Sequence, residues 1–337
     1  MKGFTYTSFT ANGFLQGGQR NAVAKLKSQI SNNWIALCVF EYQASPTSAD
    51  IAPNTTGINP LTGRMWSTTS SENDIRDGVR QARSQNMKIM LKPHVDLYTG
   101  EWRASILPDD QGRWFKAYTA MMGKYARLAQ ELNIEMVCIG TEYVVATQPK
   151  YTLLWRELID TLRKGYSGKL IYAANWSGDF THGLPNPEFQ QVGFWKDLDH
   201  IGVDVYSPLA DAQEQAMPSY GTALSRAIIF SQQIVDLSFS ATKSVIITEI
   251  GIQSVKGALA APWNYSLGIS PLAVPDNKVQ EFYYSVMIDA IGKQAWCSGM
   301  FWWHWESVPS ASIATNYTPE DKPAAQTLRQ WYIGPGI

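Results

Sequence analysis

The 337-residue chain is poor in cysteine and carries almost no net charge. Its three cysteines (Cys38, Cys138 and Cys297) lie far apart in apolar segments, so they predict neither a disulfide framework nor a CxxC metal site, and we interpret them as buried apolar side chains. A net charge of −1 argues against nucleic acid or an anionic membrane as a partner, because both require clustered cations. No segment reaches the roughly 18 consecutive apolar residues of a transmembrane helix.

The motifs of metal, nucleotide and serine chemistry are also missing. The four histidines (His94, His182, His200 and His304) are scattered, with no HExxH pattern. There is no P-loop, no GxGxxG after a first strand and no GxSxG. We therefore expect neither a cofactor nor a metal. No signal peptide precedes the first predicted strand, which leaves two alternatives for localisation: the cytoplasm, or secretion with the signal peptide already removed.

Aromatic residues are abundant, with 13 Trp and 16 Tyr. Many of them must be structural, because Trp is largely buried on average. Several nevertheless fall at predicted strand ends and in loops, where flat rings suit sugar faces or partner surfaces.

Eight apolar, strand-like runs alternate with segments of helical periodicity. The predicted strands span residues 2–9, 33–43, 88–97, 135–143, 169–176, 200–207, 244–251 and 297–306. Strict β–α alternation predicts a parallel sheet, and eight units predict closure into an α/β (β/α)8 TIM barrel rather than a doubly wound open sheet. The long segments 44–71, 177–196 and 253–276 all follow strands, which places them at the C-terminal face, where barrel enzymes have their active sites. We predict one catalytic domain over residues 1–337.

Two glutamates end buried strands and are the central candidates for chemistry. Glu142 ends the run MVCIGTEY, and Glu249 ends the apolar part of SVIITEIGI. Such a charge must be paired or used, because desolvating it alone costs several kcal/mol. On the fourth and seventh strands of a barrel the two face each other across the mouth. Glycoside hydrolysis needs one protonated and one ionised carboxyl group, and a separation of about 5–5.5 Å gives retention. The alternative is a structural ion pair for each.

Polar residues near other strand ends are candidates for substrate contact. His94 and Asp96 on the third strand and Asn175 on the fifth are placed to bind sugar hydroxyls, although His94 could instead be an ordinary rim histidine. Tyr143 shares the fourth strand's end. Asp204 comes earlier in its strand, which favours a structural role.

Tryptophans complete the candidate site. On the last strand Trp303 is expected to face the mouth, with Trp305 at the same parity, whereas Trp302 and His304 then face the helices. The loop residues Trp102, Trp176 and Trp263 are candidates for distant sugar subsites, with ordinary packing as the alternative for each.

Motifs at these strands resemble the large 4/7 clan of retaining (β/α)8 glycoside hydrolases. GTE (140–142) and TEIG (248–251) carry the resemblance, and among the clan the chain looks most like glycoside hydrolase family 113, the β-1,4-mannanases. The likeness spans nearly the whole chain, including KPHVD (92–96), GVDVY (202–206) and the Trp-rich last strand. Thr141 departs from the Asn that many clan members have before the acid/base.

The resemblance implies a retaining enzyme that cleaves β-1,4-mannosidic bonds in mannan or manno-oligosaccharides, most readily in endo mode. Glu142 would be the acid/base and Glu249 the nucleophile, with Tyr206 hydrogen-bonded to Glu249. A retaining enzyme acting on another β-linked glycan (glucan, xylan or an amino-sugar polymer) and a non-catalytic carbohydrate-binding barrel are the alternatives. We expect a monomer whose only partner is its glycan substrate.

Overall fold

The computed structural model describes residues 1–212 and 216–334, and the six remaining residues of the predicted domain lie outside the described ranges. The strands are β1 (Lys2–Thr7), β2 (Trp34–Gln43), β3 (Ile51–Ala52), β4 (Lys88–Leu97), β5 (Met136–Thr141), β6 (Lys169–Asn175), β7 (His200–Val205), β8 (Val245–Ile250) and β9 (Cys297–Glu306). The α-helices are α1 (Gly13–Gln19), α2 (Ala22–Ile30), α3 (Glu72–Ser84), α4 (Gln111–Glu131), α5 (Thr152–Arg163), α6 (Glu188–Gln191), α7 (Tyr220–Ala241), α8 (Ser266–Ile269), α9 (Asn277–Met287) and α10 (Pro323–Ile333).

Eight parallel strands form a closed barrel. They pair in the order β1-β9-β8-β7-β6-β5-β4-β2, and the β1–β2 pairing closes the ring. This confirms the predicted (β/α)8 fold. The ninth strand, β3, is an addition that the sequence did not predict: it pairs antiparallel with the end of β2, at Tyr42 and Gln43.

Apolar side chains fill two layers. One cluster lies inside the barrel and includes Met90, Ile171 and Phe301, while a much larger cluster fills the space between the strands and the helices. Strands buried on both faces explain the continuous apolar runs in the sequence. The three cysteines are free, with Cys38 and Cys138 buried and Cys297 partly buried.

Capping and backbone conformation set where the first helices begin and end. Ser71 caps α3 as its capping-box spacing predicts, accepting a hydrogen bond of 3.1 Å from the Asp74 N–H. Between β1 and β2 the chain forms two helices, α1 and α2, separated at Asn21, which has a left-handed φ of 55°. None of the helices in the described ranges has the length and apolar character needed to cross a bilayer.

Candidate active site

Glu249 lies near the end of β8, buried in the barrel mouth and only 5% exposed. The Tyr206 hydroxyl donates a 2.8 Å hydrogen bond to its Oε2, and Lys92 Nζ donates to its Oε1. His94 Nε2 lies 3.9 Å from the same Oε1. An ammonium and a phenol therefore both stabilise the charged form of this carboxylate.

Lys92 is completely buried on β4, where it connects Glu249 to a second acid, Asp204 on β7. Its Nζ is 3.3 Å from Asp204 Oδ2, and the Thr248 hydroxyl donates a 2.6 Å hydrogen bond to Asp204 Oδ1. Burial opposes protonation of Lys92, but the carboxylates of Asp204 and Glu249 raise its pKa above the usual value. Burial, followed by the charge of Glu249, raises the pKa of Asp204 well above normal. Lys92 is therefore paired with both acids inside the barrel.

Glu142 follows β5 directly and has a left-handed φ of 56°. That conformation is rare for a residue with a Cβ, and strained residues of this kind occur preferentially at functional sites. The Glu142 N–H donates a 2.9 Å hydrogen bond to the Ala173 carbonyl on β6, which anchors the turn. Its Oε2 accepts a 3.0 Å hydrogen bond from Trp102 Nε1 and lies 3.7 Å from Arg103 Nη1.

The two glutamates have opposite environments. Burial, and then the negative charge of Glu249, raise the pKa of Glu142, while Arg103 and the Trp102 hydrogen bond act in the other direction. The carboxyl group of Glu142 is therefore biased toward its protonated form beside a carboxylate held by two donors. Pairs of acids whose environments differ in this way can divide acid and nucleophile roles between them.

Asp96 ends β4 on the Arg103 side of the mouth. Its Oδ1 accepts hydrogen bonds from Arg103 Nη2 at 2.5 Å and Nε at 3.1 Å. Arg103 lies in a short 3-10 turn that follows Trp102. The side chain predicted to bind sugar hydroxyls is thus engaged with a buried arginine.

His94 is fully buried beside the nucleophile candidate, with Nε2 3.6 Å from Cys38 Sγ. Burial, and then the charges of Arg103 and Lys92, lower its pKa well below normal, so the ring is neutral. Trp303 stacks near it, with ring centroids 6.3 Å apart at 21°. Both lie in the mouth, as the parity of their strands predicts.

Two expectations for β9 differ in the structure. Trp302 packs against Tyr284 of α9, as predicted, but His304 does not face the helices: its ring stacks on Trp303 with centroids 4.7 Å apart. Trp305 is fully buried against Phe4. The physical reason is an irregularity in the β1–β9 register, which breaks the alternation of side chains between the two faces.

Tyr143 is a further correction. It is fully buried behind the barrel, where its ring stacks with Trp155 and meets Trp114 and Tyr118 edge-on. Tyr143 lies beyond the end of β5 and directly after the left-handed Glu142, and this turn directs its ring toward the helices. Tyr143 is therefore removed from the set of substrate-binding candidates.

Asn175 and Trp176 lie at the end of β6. The Asn175 side chain donates to Ser177 Oγ at 3.1 Å, and its N–H donates to Glu188 Oε2 at 2.6 Å. Trp176 packs on Trp263, with centroids 5.5 Å apart, and Trp263 is 48% exposed. The two tryptophans form one partly exposed aromatic surface.

Three charged residues in or near the site were not predicted: Lys92, Arg103 and Glu188. Lys92 could have been found from the sequence, because it lies two residues before His94 in the same apolar strand and therefore points to the same face, into the barrel. Arg103 lies in a loop without periodicity. Glu188 is fully buried at the start of the short helix α6, where Tyr172 and Thr147 donate to its Oε1, and burial raises its pKa to about 8.

No cluster of three or more potential metal ligands occurs within residues 1–212 and 216–334. The histidines in those ranges are engaged separately: His182 with Asp179, His200 with Lys169 and Ser244, and His304 with Thr7.

Comparison with known proteins gives a family match and a set of similar folds. The family model for glycoside hydrolase family 113 matches residues 4–322. The GH113 β-mannanase AaManA from Alicyclobacillus acidocaldarius, solved with ManMIm, is 24% identical with a TM-score of 0.79 over 98% of this chain and 96% of that one. A complex structure of a GH113 β-1,4-mannanase is 22% identical with a TM-score of 0.79 over 99% of both chains. A β-glucuronidase from Ruminococcus gnavus is 10% identical with a TM-score of 0.60 over 98% of this chain and 50% of that one. No curated protein gives a significant match.

Proposed function

The chain belongs to glycoside hydrolase family 113, and we propose that it cleaves β-1,4-mannosidic bonds in mannan or manno-oligosaccharides with retention of anomeric configuration. The family makes it a glycoside hydrolase with a glycan substrate. The observation that carries the mechanism is the contrast between Glu142, biased toward its protonated form, and Glu249, held as a carboxylate by Lys92 and Tyr206. A retaining glycosidase needs this division of roles.

In the first step Glu249 attacks the anomeric carbon while Glu142 gives its proton to the glycosidic oxygen. The bond from Glu249 Oε to the anomeric carbon forms as the bond to the leaving oxygen breaks, and the shortened glycan leaves as an alcohol. Tyr206 and Lys92 orient the attacking carboxylate. The raised pKa of Glu142 favours the protonated form that donates in this step.

In the second step Glu142 is a carboxylate and acts as a base. It takes a proton from water as the water oxygen attacks the anomeric carbon, and the bond to Glu249 breaks. Glu142 is then protonated again and Glu249 is free. Arg103, 3.7 Å away, stabilises the transient negative charge on Glu142 between the two steps.

We propose that the enzyme is specific for mannose units and cleaves the polymer internally, in endo mode. The solved structures similar to this chain include β-mannanases, and long loops after the strands leave room for several sugars. Trp102, 43% exposed, and the surface of Trp176 and Trp263 provide aromatic faces for pyranose rings. We propose that one catalytic domain, acting as a monomer, contains the whole site.

The test is a panel of β-linked polysaccharides, including mannan, glucan, xylan and an amino-sugar polymer, with product analysis and NMR of the first anomer released. We expect mannan to be cleaved to a range of oligosaccharides that first appear as β-anomers. Preferential cleavage of another polymer would overturn mannose specificity, first release of the α-anomer would overturn retention, and binding without turnover would overturn catalysis.

A further inference from the structure

Three side chains form a connected series on one side of the mouth: Asp96, Arg103 and Glu142. Arg103 is largely buried and has both acids within reach, but it is not shared equally between them. Two of its nitrogens contact Asp96 Oδ1, at 2.5 and 3.1 Å, whereas its nearest nitrogen to Glu142 is 3.7 Å away. The guanidinium is thus bonded to Asp96 and only near Glu142.

The backbone fixes this arrangement from two sides. Asp96 is the next-to-last residue of β4, so the barrel strand sets its backbone position. The turn that holds Arg103 is attached to the segment after Glu142, because the Val145 N–H donates a 3.1 Å hydrogen bond to the Ala104 carbonyl. The separation between the guanidinium and Glu142 is therefore a property of the scaffold.

We propose that Asp96 is a positioning residue that holds Arg103 back from a close ion pair with Glu142. The inference rests on the proposed role of Glu142 as acid/base. A guanidinium paired directly with Glu142 would keep that group ionised and remove the proton that the first step consumes. Held at 3.7 Å, the same guanidinium still stabilises the carboxylate that exists between the two steps.

The other charged groups around Glu142 do not supply this control. Glu249 on β8 raises the pKa of Glu142, and Lys92 on β4 lowers it but is paired with Glu249 and with Asp204 on β7. Glu188, beyond β6, is a further acid whose own pKa is raised by burial. Arg103 is the strongest opposing charge on Glu142. A change at Asp96, the partner of Arg103, should therefore alter the pKa of Glu142 without altering the contacts of Glu249.

The test is the Asp96→Asn variant. Without the negative charge of Asp96, Arg103 should interact more strongly with Glu142 and lower its pKa. The alkaline limb of the kcat/KM profile should therefore move by about one pH unit toward acid. The pKa of Glu142, followed by NMR of carboxyl-labelled glutamate and assigned with Glu142→Gln, should fall by the same amount. Asp96→Glu should restore both values, and Asp96→Asn in an Arg103→Met background should move the limb by less than half as much.

The control is Asp197→Asn, which removes an acid paired with Arg156 at 2.9 Å, before β7 and away from the mouth, and should leave the profile unchanged. An increased KM at every pH with an unmoved limb would show that Asp96 binds substrate instead and would overturn the proposal. An unmoved NMR titration would overturn it as well. Because that titration needs no turnover, an inactive wild type would contradict the proposed function while leaving the positioning role to be decided by NMR.

Discussion

Lys92 and Glu249 form a buried ion pair at the base of the barrel mouth, with 0% and 6% of their side chains exposed. Such a pair adds little net stability when compared with an apolar replacement of the whole pair, because both charges are desolvated. Removing one partner is different, since it leaves an uncompensated charge. We therefore infer that the pair serves to orient the nucleophile candidate, Glu249, rather than to stabilise the fold.

Replacing Lys92 with methionine should destabilise the fold and inactivate the enzyme together. Glu249 and Asp204 would then face each other without a cation, at a cost of about 3–5 kcal/mol. Chemical unfolding and kcat/KM measure the two effects. Lys293→Met is the matched control, because Lys293 pairs with Asp289 on the surface, where an i,i+4 pair contributes about 0.3–0.5 kcal/mol. Similar unfolding free energies for the two variants would contradict the assignment.

Substituting the two glutamates should separate their roles. Glu142→Gln should lower kcat/KM on mannan by about 10²–10⁴-fold, the usual contribution of a general acid. It should retain more activity on aryl glycosides whose leaving groups need no protonation. Glu249→Gln should inactivate the enzyme on both kinds of substrate, because no covalent intermediate can form.

Circular dichroism should show both glutamate variants to be folded, and Glu157→Gln on the exposed face of α5 should behave as the wild type. Full activity in either active-site variant would refute the mechanism.

The strands and the two glutamates could be predicted because a physical rule connects each to the sequence. A strand buried on both faces is a continuous apolar run, and an acid at the end of such a run is conspicuous. Asp204, the next-to-last residue of β7, is completely buried and contacts Lys92 and Thr248. The order of elements then brings the strand ends together.

What could not be predicted depends on contacts across the barrel or on irregular backbone. Nothing local shows that Lys92 meets acids from β7 and β8, or that a loop arginine reaches back to Glu142. Tyr143 and His304 failed for a related reason, because each follows a point where backbone geometry decides the face. An irregular register on β9 placed His304 beside Trp303, a change that side-chain type does not signal.

Tyr206→Phe should weaken catalysis through the nucleophile candidate. It removes one hydrogen bond to a charged group, worth about 1.5–3 kcal/mol, so kcat/KM should fall about 10- to 100-fold. Tyr220→Phe is the matched control, because that hydroxyl also donates to a carboxylate, Asp289, at 2.6 Å, but on the surface. Equal effects of the two substitutions on kcat/KM would show that the Tyr206 hydrogen bond does not act on Glu249.

Glu188 should make the stability of the protein fall as pH rises. Burial raises its folded-state pKa to about 8, above an unfolded value of about 4.3. Between about pH 4.3 and about pH 8 the folded state keeps a proton on Glu188 that the unfolded state loses. The stability that this proton contributes is therefore fully present below the unfolded-state pKa and is lost as the pH rises through the folded-state pKa. The Glu188→Gln variant should remove up to about 1.4 kcal/mol per pH unit of slope from the unfolding free energy between pH 5 and 8. Parallel pH profiles for this variant and Glu157→Gln would contradict the prediction.

Trp263→Ala should affect long substrates more than short ones. Trp263 is half exposed and packs on Trp176 at the end of β6, so its ring can stack on a sugar away from the glutamates. We expect KM for the polysaccharide to rise about 2- to 10-fold, with kcat on a short aryl glycoside unchanged. Phe239→Ala removes an exposed ring of α7, on the barrel's outer layer, and should change neither value. A change in kcat on the short substrate would place Trp263 at the reacting sugar, whereas an unchanged KM on the polymer would make its role purely one of packing.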